Sequence, residues 1–347
     1  MYRLVFPATV LAAQGLDVAE GRREDIQAVW RRTQDGPRVA WAEPLDCDVA
    51  VFQRVCRRDI VDCIPSWQRQ GTAVVMDVDD LLSAVDPGNP AFAAYHPSNP
   101  AENWHHLERA CRMADMVTVS TPALAERYGR HGRVRVLRNC VPEWYLRVAG
   151  ACPMDGGSQP QVVATAAPVL GWAGRVDVHA ADLAVVGTAV AQALRQTSAT
   201  FRAVGDEATL TALGVQGEVV PFMPFEEYPA EVARLDVGIA PLAYTAFNRG
   251  KSALKPLEMA ALGVSFVASP LPEYARLAEL GAGDLASRPR QWLAALRRLL
   301  TDDEYRAERV GRGREVAAGL TYDAHAGGWA AVWGEALRVR RGAALCR

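Results

Sequence analysis

The chain has 347 residues, half of them apolar and 22% charged, with a formal net charge of −2. That length suits two domains with a core each, and the balance is that of a globular chain rather than a disordered one. Near-neutrality excludes bulk attraction to nucleic acid or anionic membrane and leaves only local patches. The seven cysteines, Cys47, Cys56, Cys63, Cys111, Cys140, Cys152 and Cys346, form no C-x-x-C pair and no zinc spacing. They read as reduced thiols of a cytoplasmic protein. No apolar run reaches the roughly 18 residues of a membrane span, and no signal peptide is visible, so any membrane contact is expected to be peripheral.

In chain order, residues 3–14 suit an amphipathic helix ended by Gly15. Strands are expected at 38–42, 48–53, 72–76, 116–120 and 134–137, and helices at 59–69, 101–114 and 122–128. Residues 86–103, rich in Pro and Asn and carrying Phe92, Tyr95 and His96, form a long loop of the kind that is usually functional. Residues 149–167 are small, polar and glycine-rich, as an interdomain linker would be. Strands then follow at 169–172, 201–204, 218–222, 237–241 and 265–268. Helices separate them at 180–195, 207–213, 226–235 and 252–262, and helices alone follow at 273–279, 289–300, 303–318 and 323–340. Alternation of this kind predicts two doubly wound parallel sheets, whose ligands bind at the carboxyl ends of the strands.

Of the 38 Lys plus Arg residues, only Lys251 and Lys255 are lysines. Two lysines four apart in an arginine background suggest a site that wants a compact ammonium. A helix is expected to begin at an N-cap Ser252, with Leu254, Leu257, Ala261 and Leu262 on one face. Cations at a helix N-terminus oppose the macrodipole, and a bound phosphate reconciles the two. The bland alternative is a pair of solvated surface lysines.

Two weaker motifs lie elsewhere. The apolar strand at 73–78 ends in Asp77-Val78-Asp79-Asp80. A D-x-D ending fits the metal-binding carboxylates of a metal-dependent transferase, or a phosphatase nucleophile. Leu81 stands where such a phosphatase needs Thr, and a cluster of strand-end carboxylates without either duty is the plainer reading. The turn Gly171-Trp172-Ala173-Gly174-Arg175 precedes the helix at 180, with His179 and Asp182 near its start. Glycines there let backbone N–H groups approach a phosphate that Arg175 would neutralise.

The run 236–270 resembles the donor-binding region of the retaining GT-B glycosyltransferases of the group 1, glycogen-synthase-like family. Pro256-Leu257-Glu258-Met259-Ala260-Ala261-Leu262-Gly263 matches the second half of that family's Glu-x7-Glu segment. Gly250 stands at the first Glu, and Phe247, Asn248, Lys251, Ser252, Lys255 and Glu258 match a variant reading F-N-x-x-K-S-x-x-K-x-L-E. Arg175 matches the family's G-R, and Ala180 stands where its usual lysine would follow. The family has a strand and a glycine-rich loop ahead of the first helix, for which this sequence has no counterpart.

The resemblance implies a GT-B fold, two Rossmann-like doubly wound domains facing a cleft. It places an acceptor-side domain at 1–148, the linker at 149–167 and a nucleotide-sugar domain at 168–322. A C-terminal helix at 323–347 would cross back to the first domain. It further implies a nucleotide-sugar substrate, no metal and no other cofactor, and a retaining transfer to an unspecified acceptor. The base would lie at Phe222 and Met223, and the ribose at Glu258. The diphosphate would lie near Gly174, Arg175, Asn248, Gly250, Lys251, Ser252, Ala253, Leu254 and Lys255. Lys251, Lys255, Arg175 and Glu258 would serve catalysis, and closure would bring Asp79, Asp80 and His96 over the sugar on the acceptor side. Gly250 also admits a catalytically silent nucleotide-binding relative. Arg54, Arg57, Arg58 and Arg69 read as a solvated helix face, with a polyanionic acceptor such as nucleic acid as the alternative.

Overall fold

The computed structural model describes residues 1–21, 26–34, 36–148 and 167–345. The expected linker therefore lies outside the described residues except for Ala167. By contacts the chain groups into two compact units. One comprises Met1–Asn139, Gly250–Ser252 and Tyr322–Arg347, and the other Cys140–Arg249 and Ala253–Thr321.

The first unit begins with a helix at Val5–Ala13, and Gly15 (φ 92°) supplies the left-handed turn that ends it. Strands β1 (Ala28–Thr33) and β2 (Gly36–Ala42) form a separate antiparallel hairpin. The expectation that 38–42 joins the parallel sheet is corrected here. The run at 28–33 has no apolar alternation, so only its partner was visible as a strand. Strands β3 (Val49–Gln53), β4 (Ala73–Val78), β5 (Met116–Val119) and β6 (Val134–Val136) make a four-stranded parallel sheet in that order. β4 and β5 are buried along their whole length, as central strands covered on both faces must be. The helix Tyr322–Leu345 covers one face, with Val332 and Ala336 against Ala73, Val75 and Met116. Each buried Val or Met among them contributes about 1.5–3 kcal/mol.

The second unit is a six-stranded parallel sheet. Its strands are β7 (Val169–Gly174), β8 (Thr200–Gly205), β9 (Glu218–Pro221), β10 (Val237–Ala240), β11 (Ser265–Ala268) and β12 (Asp284–Leu285). Their order is β12-β11-β10-β7-β8-β9. One face packs on Leu257, Met259 and Phe266, the other on Trp172, Val190, Trp292 and Leu296. The helix expected at 180–195 is two, Ala180–Ala184 and Ala189–Gln196, broken around Gly187 at φ 54°. The helix expected from 252 starts at Leu254 with Ala253 at the N-cap and no side-chain cap. Ser252 is not the cap, because its Oγ accepts a hydrogen bond from Asn139 Nδ2 at 2.8 Å.

Candidate functional site

The order of the second sheet reverses between β7 and β10, which are hydrogen-bonded neighbours. In open parallel sheets the crevice outside the carboxyl ends at such a switch point is where ligands bind. β7 delivers Gly174 and Arg175 to that edge, and β10 delivers the chain toward the helices Ala246–Arg249 and Leu254–Ala261.

Gly174 is needed there for space. A Cβ at this position would stand 2.9 Å from Trp172 Cζ2 and 3.2 Å from Lys255 Nζ. Its sheet neighbour Gly205 (φ 112°) is bare for a similar reason, since a Cβ would stand 2.9 Å from the Gly174 carbonyl and 3.0 Å from the Phe222 ring. The two glycines leave a stretch of strand-end backbone without side chains. Phe222, 63% exposed, lies along it, with Met223 partly buried behind.

Lys255 sits in the first turn of the helix Leu254–Ala261, where the macrodipole disfavours a cation. Its ammonium lies 4.7 Å from the centre of the buried Trp172 ring. The negative face of the indole offsets the dipole and fixes where the charge points. One turn on, Glu258 is 6% exposed. Burial raises the pKa of Tyr228 and Tyr274, and the nearby Glu258 charge adds to both shifts. Arg175 is exposed and forms an ion pair with Asp177, donating from Nε to Oδ1 at 3.1 Å.

The loop between β10 and the lysines is held by Asp182. Its Oδ1 accepts from the Ala243 amide at 2.8 Å and from Asn248 Nδ2 at 2.6 Å, and its Oδ2 lies 2.7 Å from His179 Nδ1. Asn248 also donates to the Ala243 carbonyl at 3.0 Å, so its side chain shapes the loop. Trp172 and Asp182 were missed as site residues by sequence reasoning. Their signal was present, since Trp172 lies in the glycine turn and Asp182 near the start of the helix after it.

A second constellation sits at the carboxyl edge of the first sheet, and Gly250–Ser252 groups with it. The Gly250 carbonyl accepts from Thr121 Oγ1 at 3.1 Å, and Lys251 Nζ lies 2.8 Å from Asp80 Oδ1. The two lysines therefore serve different surroundings, Lys251 the carboxylates and Lys255 the indole. Arg54 reaches Asp79 at 3.2 Å and Asp80 at 3.4 Å from a backbone at φ 48°. A left-handed conformation in a non-glycine residue is strained, and such strain gathers at functional sites. Asp79 accepts from Gln53 Nε2 at 3.1 Å through Oδ2, while its buried Oδ1 is the atom that faces Arg54 Nε in the ion pair. Burial, then the Asp80 charge, raise the pKa of Asp79.

Asp77 does other work. It is fully buried and accepts from Arg3 Nε at 3.0 Å, Arg3 Nη2 at 2.6 Å and Thr118 Oγ1 at 2.6 Å. Both of its oxygens are occupied, which gives it the job of seating Arg3. His96 ends the short helix Phe92–Tyr95, with Nδ1 2.7 Å from Ser98 Oγ and its ring 4.3 Å from Phe92. Burial, then the nearby Cys56, raise the pKa of its neighbour Tyr95, which also lies within reach of the Arg54 and Asp80 charges. Among the described residues there is no group of three or more His, Cys, Asp or Glu side chains placed to hold a metal ion. No described helix is long and apolar enough to cross a membrane.

Residues 167–302 match the family described as glycosyl transferases group 1. No curated protein matches. Among solved structures the chain is similar to Anabaena HepE in complex with UDP, at 15% identity and a TM-score of 0.57 over 83% of this chain and 78% of that one. It is similar to a glycosyltransferase from Rickettsia africae ESF-5, at 13% and 0.56 over 84% and 77%. An E. coli trehalose-6-phosphate structure bound with UDP-2-fluoro glucose gives 13% and 0.55 over 83% and 73%. The fold is GT-B, with two Rossmann-like α/β units.

Proposed function

We propose that the protein is a cytoplasmic glycosyltransferase that moves a hexosyl group from a nucleotide sugar to an acceptor, with retention and without a metal. The observation that carries this reading is the switch-point edge of the second sheet. There the bare backbone of Gly174 and Gly205, the Lys255 ammonium and the buried Glu258 carboxylate come from one unit. The group 1 match over 167–302 and the UDP and UDP-2-fluoro glucose complexes of similar folds support it.

In this reading Phe222 and Met223 face the base, and Glu258 accepts hydrogen bonds from the ribose hydroxyls. Lys255, Arg175 and the amides at Ser252 and Ala253 take the diphosphate. Lys251 serves the same end where the nucleotide's charge competes with Asp80 for it. The bond between the anomeric carbon and the diphosphate oxygen breaks, and the acceptor oxygen bonds to that carbon on the same face. The acceptor's proton passes to the departing phosphate oxygen. Negative charge grows on the diphosphate as the bond breaks, so fixed cations stabilise the transition state more than the ground state. Asp79 and Asp80, held beside Arg54 and Lys251, are the acceptor-side carboxylates in this reading, with His96.

The test is a thermal-shift panel of nucleoside diphosphate sugars, with and without Mg²⁺ or Mn²⁺, followed by product analysis. Stabilisation by at least one donor without metal supports the reading. Stabilisation by none, or only with metal, overturns it. Binding without transfer or hydrolysis would instead establish the silent relative that Gly250 admits.

A further inference from the structure

The β1–β2 hairpin breaks the chain's own habits. Trp67, Trp172, Trp292 and Trp329 are fully buried, whereas Trp30 and Trp41 on the hairpin are 40% and 46% exposed. Val29, directly opposite Trp41, is 57% exposed. Arg31 and Arg32 are exposed beside them, and Arg31 is paired across the strands with Arg38, also exposed. The run 28–42 holds three arginines against one acid, Asp35, in a chain whose net charge is −2.

The hairpin is nevertheless held in place. The Ala42 amide donates to Ser66 Oγ at 3.0 Å, Gln70 Nε2 to the Ala42 carbonyl at 2.8 Å, and Arg58 to the Pro37 carbonyl at 3.2 Å. All three partners lie on or next to the helix Arg58–Arg69, which also carries Asp59 and Asp62, paired with Arg57, Arg58 and Arg109. The acids of that helix are thus matched by arginines of their own neighbourhood. A fixed ribbon with apolar and cationic side chains outward is the result.

We propose that this hairpin is a docking surface for an anionic lipid bilayer. Tryptophan rings favour the headgroup level, where one part of the ring is apolar and the N–H is wet. The exposed Arg31 and Arg32 beside them take lipid phosphates. A second copy of the chain fits worse, because a self-complementary contact would bring arginines against arginines. The surface is independent of the donor site and adds a location to the reaction proposed above.

Vesicle flotation of the full chain tests this, with phosphatidylcholine alone and with phosphatidylcholine mixed with phosphatidylglycerol. The chain is expected to float with the mixed vesicles only, and to be released by high salt. Trp30→Ser with Trp41→Ser, and separately Arg31→Glu with Arg32→Glu, are expected to lower vesicle affinity about tenfold or more, from the roughly 1 kcal/mol each basic side chain supplies near a charged bilayer. Melting temperatures should be unchanged. Should the tryptophan variant melt early, the arginine variant and the salt release decide. No flotation, equal flotation with phosphatidylcholine alone, or undiminished flotation of both variants overturns the proposal. So does a dimer that the variants convert to monomer without any vesicle binding.

Discussion

The Lys255 ammonium stands 4.7 Å from the centre of the Trp172 ring, in the first turn of a helix whose dipole would repel it. The indole therefore sets the position of the charge that the proposed mechanism aims at the diphosphate. Lys255→Met keeps the volume and removes the charge. It is expected to weaken nucleoside diphosphate binding about 10–100-fold, from the 1.5–3 kcal/mol of a charged hydrogen bond, while nucleoside binding stays within twofold. Isothermal titration of both ligands checks it, and equal losses would sink the phosphate assignment. Trp172→Phe should give a smaller loss, as a weaker ring holds the same ammonium less firmly.

Glu258 calls for the opposite pattern. Glu258→Gln keeps the shape, removes the accepting charge and leaves the ribose hydroxyls one poorer partner. Nucleoside and nucleoside diphosphate binding are expected to fall together, about tenfold each. A loss confined to the diphosphate in the same titrations would move Glu258 out of the ribose role.

Arg3 and Asp77 form a buried pair, 1% and 0% exposed, with Arg3 also lying 4.7 Å from the Trp329 ring centre and donating to Asn139 Oδ1 at 3.1 Å. Removing one partner leaves the other charge buried and unmatched. Arg3→Met and Asp77→Leu are each expected to cost about 3–5 kcal/mol, and the double variant to recover most of it. Chemical denaturation measures all three. Single variants that fold normally and lose only a metal-dependent activity would return Asp77 to the D-x-D reading.

How much of this was legible follows from burial. The runs at 73–78, 116–119, 237–240 and 265–268 are apolar because both faces are covered, and the sequence shows them as strands. The hairpin's first strand is exposed along most of its length, so no alternation marks it. Short helices such as Trp144–Val148 and Ala246–Arg249 are set by packing and by bonds like that from Asn248 to Asp182, not by any local period. At the candidate site, Lys255 stood out as one of two lysines four residues apart, and Glu258 through the resemblance to the group 1 donor region. Trp172 as the seat of Lys255, and Arg3 as the owner of Asp77, join residues 83 and 74 positions apart that no pattern connects.

Asp79 supplies a prediction in pH. Burial and the Asp80 charge raise its pKa in the folded chain above the ordinary 3.8. Below that value the group is protonated in both folded and unfolded chains and contributes nothing. As pH rises through 3.8 the unfolded chain ionises first and gains, so the folded state loses stability until the folded carboxyl also ionises. Asp79→Asn removes this drift. The difference in melting temperature, variant minus wild type, is therefore expected to grow with pH from the acid side and level off once the folded carboxyl has titrated. A difference that shrinks over the same range would mean that Arg54 dominates and the carboxylate is held charged. Asp79 would then be an anchor for Arg54 rather than an acceptor-side group.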